Sequence, residues 1–165
     1  MSPIEAAADD LQDLAVLWSI GEARAHDVVE AACAALVAGL DGPALRILAG
    51  YTRAEAEYEV PDLLPVVLDE LDLVFYPYGS EAGQEAGVRA LAHQLLAGKL
   101  TPRELAARIH QRYGHQLPLA ESLAELDDEY DIVEYGRKTS ARLDAEVTAE
   151  AQRLVDGWRD RPRSR

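Results

Sequence analysis

Residues 119–133 read LAESLAELDDEYDIV, and their spacing decides the fold. Leu119, Leu123, Leu126, Tyr130 and Val133 recur in alternating steps of four and three, which on a helix makes one narrow apolar seam. At about 100° per residue, Glu121, Glu125 and Asp128 fall on the side away from that seam and Asp131 on its flank. Continued to residue 135, the same helix carries Ile132 and Tyr135 into the acidic face.

The segments on either side follow the same period. Leu105, Ile109 and Tyr113 repeat at four, and Leu143, Val147, Ala151, Leu154 and Trp158 close the chain. Toward the N-terminus, Ile4, Leu11, Leu14 and Trp18 form one stripe, and Val29, Cys33, Leu36 and Leu40 another. Helix punctuation agrees. Ser2-Pro3-Ile4-Glu5 and Thr101-Pro102-Arg103-Glu104 have the form of capping boxes with proline in the first turn. Gly21, Gly39, Gly50, Gly98, Gly114 and Gly136 fall where helices should stop. The pattern predicts helices over about 3–20, 26–39, 43–50, 61–72, 81–97, 102–113, 118–135 and 139–159, with no convincing strand. The expected fold is all-α, a compact bundle of seven or eight short helices forming a single domain over residues 1–158, with a basic, frayed tail at 159–165.

Leu36-Val37-Ala38-Gly39 followed by Pro43 matches Leu95-Leu96-Ala97-Gly98 followed by Pro102 at an offset of 59 residues. This is either a duplicated helical hairpin or simply the way a helix–Gly–x–Pro–helix connection is made.

Composition sets the outer bounds. The chain has 165 residues, of which 28 are Ala and 23 Leu, strong helix formers both. Leu, Ile, Val and Phe make up 41 residues, enough for a packed core and too many for a disordered chain. One cysteine forms neither an intramolecular disulfide nor a zinc cluster. No apolar run approaches the roughly 20 residues a bilayer demands, and the N-terminus lacks a secretory pattern, so a cytosolic location is expected. A net charge of -14 repels nucleic-acid phosphate and argues against DNA or RNA as a partner. Four arginines against one aspartate from Arg159 onward add three positive charges, so residues 1–156 carry -17.

Local signatures of catalysis are missing. No histidine among His26, His93, His110 and His115 follows a glutamate by three, and there is no His-Glu-x-x-His. His93 and His110 fall well off their apolar stripes and are expected to be solvated, whereas Cys33 sits on an apolar seam and is expected in the core. Gly79, Gly83 and Gly87 lack the strand of a dinucleotide fingerprint, and no Gly-x-Ser-x-Gly elbow occurs. The sequence therefore predicts no catalytic residue, no cofactor and no metal centre.

Two features stand out. Residues 54–72 and 116–136 each carry seven carboxylates and no Lys or Arg. Such a face is a solvated helix surface, or it is an acidic surface for a basic protein, with Glu125, Asp128, Asp131, Ile132 and Tyr135 as its contacts. Asp127, Asp128 and Asp131 also offer oxygens to a divalent cation, but the EF-hand pattern with its central glycine is absent. The second feature is Val74-Phe75-Tyr76-Pro77-Tyr78-Gly79-Ser80, three aromatics within four positions around a proline. Phe75, Tyr76 and Tyr78 are either interface anchors on a loop or rings that plug the end of the bundle.

The run Ala44-Leu45-Arg46-Ile47-Leu48-Ala49-Gly50, then Leu63-Leu64 and Leu68-Asp69-Glu70-Leu71, resembles small acidic helical proteins of high-GC bacteria. Leu126-Asp127-Asp128-Glu129-Tyr130-Asp131, after the Gly98–Pro102 helix start, carries the same resemblance, which spans about residues 36–135. Some of those proteins are similar to the immunity proteins of bacteriocin and polymorphic-toxin systems, which bind and neutralise a toxin. The resemblance implies an all-α fold and a binding role against a basic partner, and carries no catalytic residue across. The alternatives are a helical enzyme or ligand-binding protein whose site is assembled from distant residues, and a structural or regulatory homodimer that hides an apolar helix face.

Overall fold

The computed structural model describes the backbone of residues 1–159 and the side chains of residues 1–157. The chain is all-α. Eight α-helices are found among the described residues: α1 (Pro3–Ser19), α2 (Ala25–Ala38), α3 (Pro43–Ala49), α4 (Arg53–Glu70), α5 (Glu81–Leu96), α6 (Pro102–Tyr113), α7 (Glu121–Asp131) and α8 (Ser140–Arg159). A single 3-10 turn, Pro118–Ala120, precedes α7, and no strand is present among the described residues. No described helix is long and apolar enough to cross a membrane. The tail expected to fray lies outside the described residues, apart from the backbone of Arg159.

Packing gathers the chain into two compact units, Met1–Gly87 and Val88–Arg165. In the first, α1, α2, α3 and α4 pack around Leu11, Val28, Leu45, Leu48, Val60 and Leu64, each 0–1 % exposed. In the second, α6, the 3-10 turn, α7 and α8 enclose Leu105, Ile109, Leu123, Leu143 and Val147, all at 0 %.

Both expected capping boxes form. Ser2 Oγ accepts the Glu5 amide while Glu5 accepts that of Ser2, and Thr101 and Glu104 repeat the exchange. The two Leu-x-Ala-Gly stretches end their helices with the same device. Gly39 and Gly98 are left-handed, and the following amides, Leu40 and Lys99, reach back to the carbonyls of Ala35 and Gln94 at 3.0 and 2.9 Å.

Several expectations are corrected. The fourth helix begins at Arg53 rather than near Pro61, because Thr52 and Glu55 form a third capping box. Pro61 and Pro65 therefore lie inside α4, where each forgoes a backbone hydrogen bond. Burial of Ala56, Val60, Leu64, Val67 and Leu68 on the inner face offsets that cost. On α2 the buried residues are Ala25, Val28, Val29, Ala32 and Ala35, so Val29 of the expected stripe is in the core, while Leu36 and Leu40 are half-buried and Cys33 is exposed. Ala25, Ala32 and Ala35 line the inward face together with Val28 and Val29, and Cys33 falls outside it. Its thiol instead lies 3.3 Å from the Ala49 carbonyl.

The helix expected over 118–135 is shorter as well. It opens as the 3-10 turn and ends at Asp131, and residues 132–135 continue as turns. Consecutive β-branched Ile132 and Val133 lose side-chain freedom in a helix. Carboxylates at Glu129, Asp131 and Glu134 oppose the negative end of the helix dipole.

Candidate functional site

In the first unit, the loop that leaves α4 is tied to α1. The Gln12 amide side chain donates to the Val74 carbonyl at 2.9 Å and accepts the Val74 amide at 2.7 Å. That pairing sets the course of the aromatic loop. Tyr76 is half-buried and Phe75 is 49 % exposed, and both line a small crevice with Val16, Trp18, Leu64 and Leu68. Tyr78 points to solvent at 94 %. The three aromatics are thus split between partial packing and full exposure.

In the second unit, Glu125, Asp128 and Asp131 are exposed on α7. Ile132 and Tyr135 follow in the turns after the helix, 56 % and 89 % exposed, outside the helical register expected to carry them into the acidic face. The turns are held from behind. Lys138 reaches Glu129 at 2.9 Å and Glu146 at 3.0 Å, bridging α7 and α8. The Glu129 carboxylate, followed by that of Glu146, raises the Lys138 ammonium above its usual range. Glu125, Glu129, Glu146 and Glu150 line a shallow, predominantly acidic groove around Lys138.

The seam residue Tyr130 is 3 % exposed. Its hydroxyl donates to Asp144 Oδ1 at 2.5 Å, and the Arg103 guanidinium stands 5.3 Å from its ring centroid. Arg103 also approaches Asp131 at 3.7 Å, an exposed pair of little energetic weight.

One constellation has no local signature. His110, in the last turn of α6, has its Nδ1 2.9 Å from Asp127 Oδ2 and 3.7 Å from Asp128 Oδ1. His115 has Nδ1 3.0 Å from Glu121 Oε1 and Nε2 3.2 Å from Asp128 Oδ2. The two rings meet edge to face with centroids 4.9 Å apart. Gly114 makes this possible. Its φ of 56° with ψ of -137° is backbone that side-chain-bearing residues avoid, and it turns the chain between the two histidines.

His110 is therefore not the freely solvated residue expected from its stripe position, since its side chain is 26 % exposed and faces an Asp127 that is 18 % exposed. The acidic block is unopposed along the chain but opposed in space, because Glu121, Asp127 and Asp128 all meet imidazole nitrogen. The hydrogen bond to Glu121, followed by the charges of Glu121 and Asp128, holds the His115 imidazolium above its usual range despite a desolvation penalty. His110 and His115 were absent from the expected site, and only their spacing of five across a glycine could have suggested them.

No protein family, curated protein or solved structure matches the chain.

Proposed function

We propose that the chain is an acidic helical binding protein whose partner is a basic protein, and that it serves as an immunity-type antagonist, occluding the working face of a target such as a toxin. The observation that carries this reading is the exposure of Ile132 and Tyr135, 56 % and 89 %, in the turns that directly follow the helix bearing the exposed carboxylates of Glu125 and Asp131. A large ring left in water beside a charged rim has the anatomy of an interface anchor: the ring supplies desolvated contact area and the rim supplies steering. A net charge of -14 extends that steering to long range at low salt.

The test is kinetic and uses a basic protein captured by the tagged chain and identified by intact mass. Glu125→Lys and Asp131→Lys should slow association and flatten its salt dependence, because rim charges act mainly on encounter. Tyr135→Ala should speed dissociation and cost about 1–2 kcal/mol. Asp128 is left intact because it is engaged by both histidines. If all three substitutions leave the affinity unchanged, this surface does not bind the partner.

A further inference from the structure

We propose that His110, His115 and Asp128 form a binding site for a divalent transition-metal ion of the zinc class, with Glu121 as the carboxylate that orients the His115 imidazole and Asp127 as a further carboxylate beside His110. This site is independent of the protein-binding reading above.

The geometry is close to what such an ion requires. One ring nitrogen from each histidine and one Asp128 oxygen lie within 4.8 Å of one another. Tetrahedral ligands at about 2.0–2.1 Å from zinc are about 3.4 Å apart. The His115 Nε2 to Asp128 Oδ2 separation of 3.2 Å matches that spacing, and the other oxygen of the same carboxylate, Oδ1, lies 3.7 Å from His110 Nδ1, so Asp128 turns one oxygen toward each histidine. All three side chains reach solvent, being 26 %, 46 % and 56 % exposed, so an ion has direct access.

One surrounding group supplies the orienting contact that a metal-bound histidine takes. His115 presents Nε2 to Asp128 while its Nδ1 meets Glu121 at 3.0 Å. A ring nitrogen facing the ion, with the other nitrogen held by a carboxylate, is the usual carboxylate–histidine–metal arrangement, and it fixes both tautomer and ring direction. Asp127 differs: its Oδ2 lies 2.9 Å from the same His110 Nδ1 that faces Asp128, so it stands as a further carboxylate oxygen beside the ion rather than behind the ring. With neutral imidazoles the cluster contributes three negative charges, which favour a dication by Coulomb attraction. The donor set also selects the class. Imidazole nitrogen suits zinc, nickel and cobalt, whereas calcium and magnesium prefer all-oxygen shells. Three side-chain ligands leave at least one coordination position for water. The ligands come from the end of α6, the turn after Gly114, and α7, so the ion would clip that turn to both helices.

The experiment titrates the chelator-stripped full chain with ZnCl₂ by calorimetry, with MgCl₂ and CaCl₂ in parallel, and follows the four imidazoles by ¹⁵N-correlated NMR. The expected result is one zinc per chain, no comparable binding of magnesium or calcium, and stoichiometric shifts of the His110 and His115 ring signals without those of His26 and His93. His110→Ala and His115→Ala should each lower zinc affinity by about tenfold or more, and Glu121→Gln by about tenfold, while His26→Ala leaves it unchanged. The NMR arm uses the unaltered chain, so it decides the matter even if a variant folds poorly. Absence of stoichiometric zinc binding, zinc shifts confined to other histidines, or affinity that survives loss of both His110 and His115 would overturn the site.

Discussion

Glu70 caps Ala44 from 26 residues away: its Oε1 accepts the Ala44 amide at 3.1 Å, and its Oε2 accepts the adjacent Leu45 amide at 3.0 Å. Helix α3 has no cap of its own, since the residue before it is Gly42, and a Cβ there would fall 2.2 Å from Glu70 Oε2. The carboxylate thus takes the place a side chain at Gly42 would occupy and supplies the acceptors that glycine lacks. Glu70→Ala should destabilise the fold by about 1 kcal/mol in urea unfolding, and Glu70→Gln by less, because an amide oxygen still accepts one bond. Equal stability of Glu70→Ala and the parent chain would show that water replaces the carboxylate without loss.

Packing along the α7 seam should be graded by burial. Leu123 is 0 % exposed and Leu126 is 9 % exposed, at the edge of the acidic groove. Leu123→Ala should cost about 3–4 kcal/mol and Leu126→Ala nearer 2 kcal/mol, because water can enter the smaller void at the edge. Chemical denaturation of the two variants measures the difference, and reversal of their order would contradict the burial assignment.

Local signals explain why most of the fold was legible. Capping boxes and apolar spacing act within one or two turns, so Ser2–Glu5, Thr101–Glu104 and the Leu119–Tyr130 seam could be read directly from order along the chain. Thr52-Arg53-Ala54-Glu55 carries the same signal and starts the helix at Arg53, eight residues ahead of the start expected near Pro61. The Glu70 cap and the His110–Asp127 pair depend on how neighbouring helices fold back on one another, and neither spacing nor composition encodes that. The exposed ring of Tyr135 was legible as an apolar residue in an acidic run. That it stands beyond the end of α7 follows from Ile132 and Val133 terminating the helix.

Acid should act on the helix starts. The backbone and side-chain hydrogen bonds from Thr52 hold Glu55 below the usual carboxylate range, and Thr101 does the same for Glu104. A carboxyl depressed in the folded state binds its proton more readily when unfolded, so its contribution is present above the ordinary glutamate pKa and is lost as pH falls through the lower folded value. Stability followed by urea midpoint should therefore fall from about pH 4.5 downward. Glu55→Gln with Glu104→Gln should make that part of the profile shallower while leaving the neutral-pH fold intact. An unchanged acid slope in the double variant would assign the acid sensitivity to other carboxylates.

At the other end of the pH scale, Tyr130 is the group to watch. Burial at 3 % exposure, then the hydrogen bond to Asp144, pushes its phenol far above the ordinary range, and the Asp144 charge acts in the same direction. Nearby Arg103 opposes this without reversing it. The unfolded phenol ionises near pH 10, so the preference of the folded state for neutral Tyr130 stabilises fully below that value and is lost progressively above it. Two readouts follow. In an alkaline ultraviolet titration, the Tyr130 component of the phenolate signal should appear only as the chain unfolds. Tyr130→Phe should abolish that component and flatten the alkaline stability slope, while costing about 1–2 kcal/mol at neutral pH because Asp144 loses its donor. Tyr135→Phe, at 89 % exposure, should leave neutral-pH stability within about 0.5 kcal/mol of the parent chain and leave the delayed component in place. If Tyr130→Phe instead retains the delayed phenolate signal, another tyrosine carries it, and the Tyr130–Asp144 contact does not govern the alkaline limit of the fold.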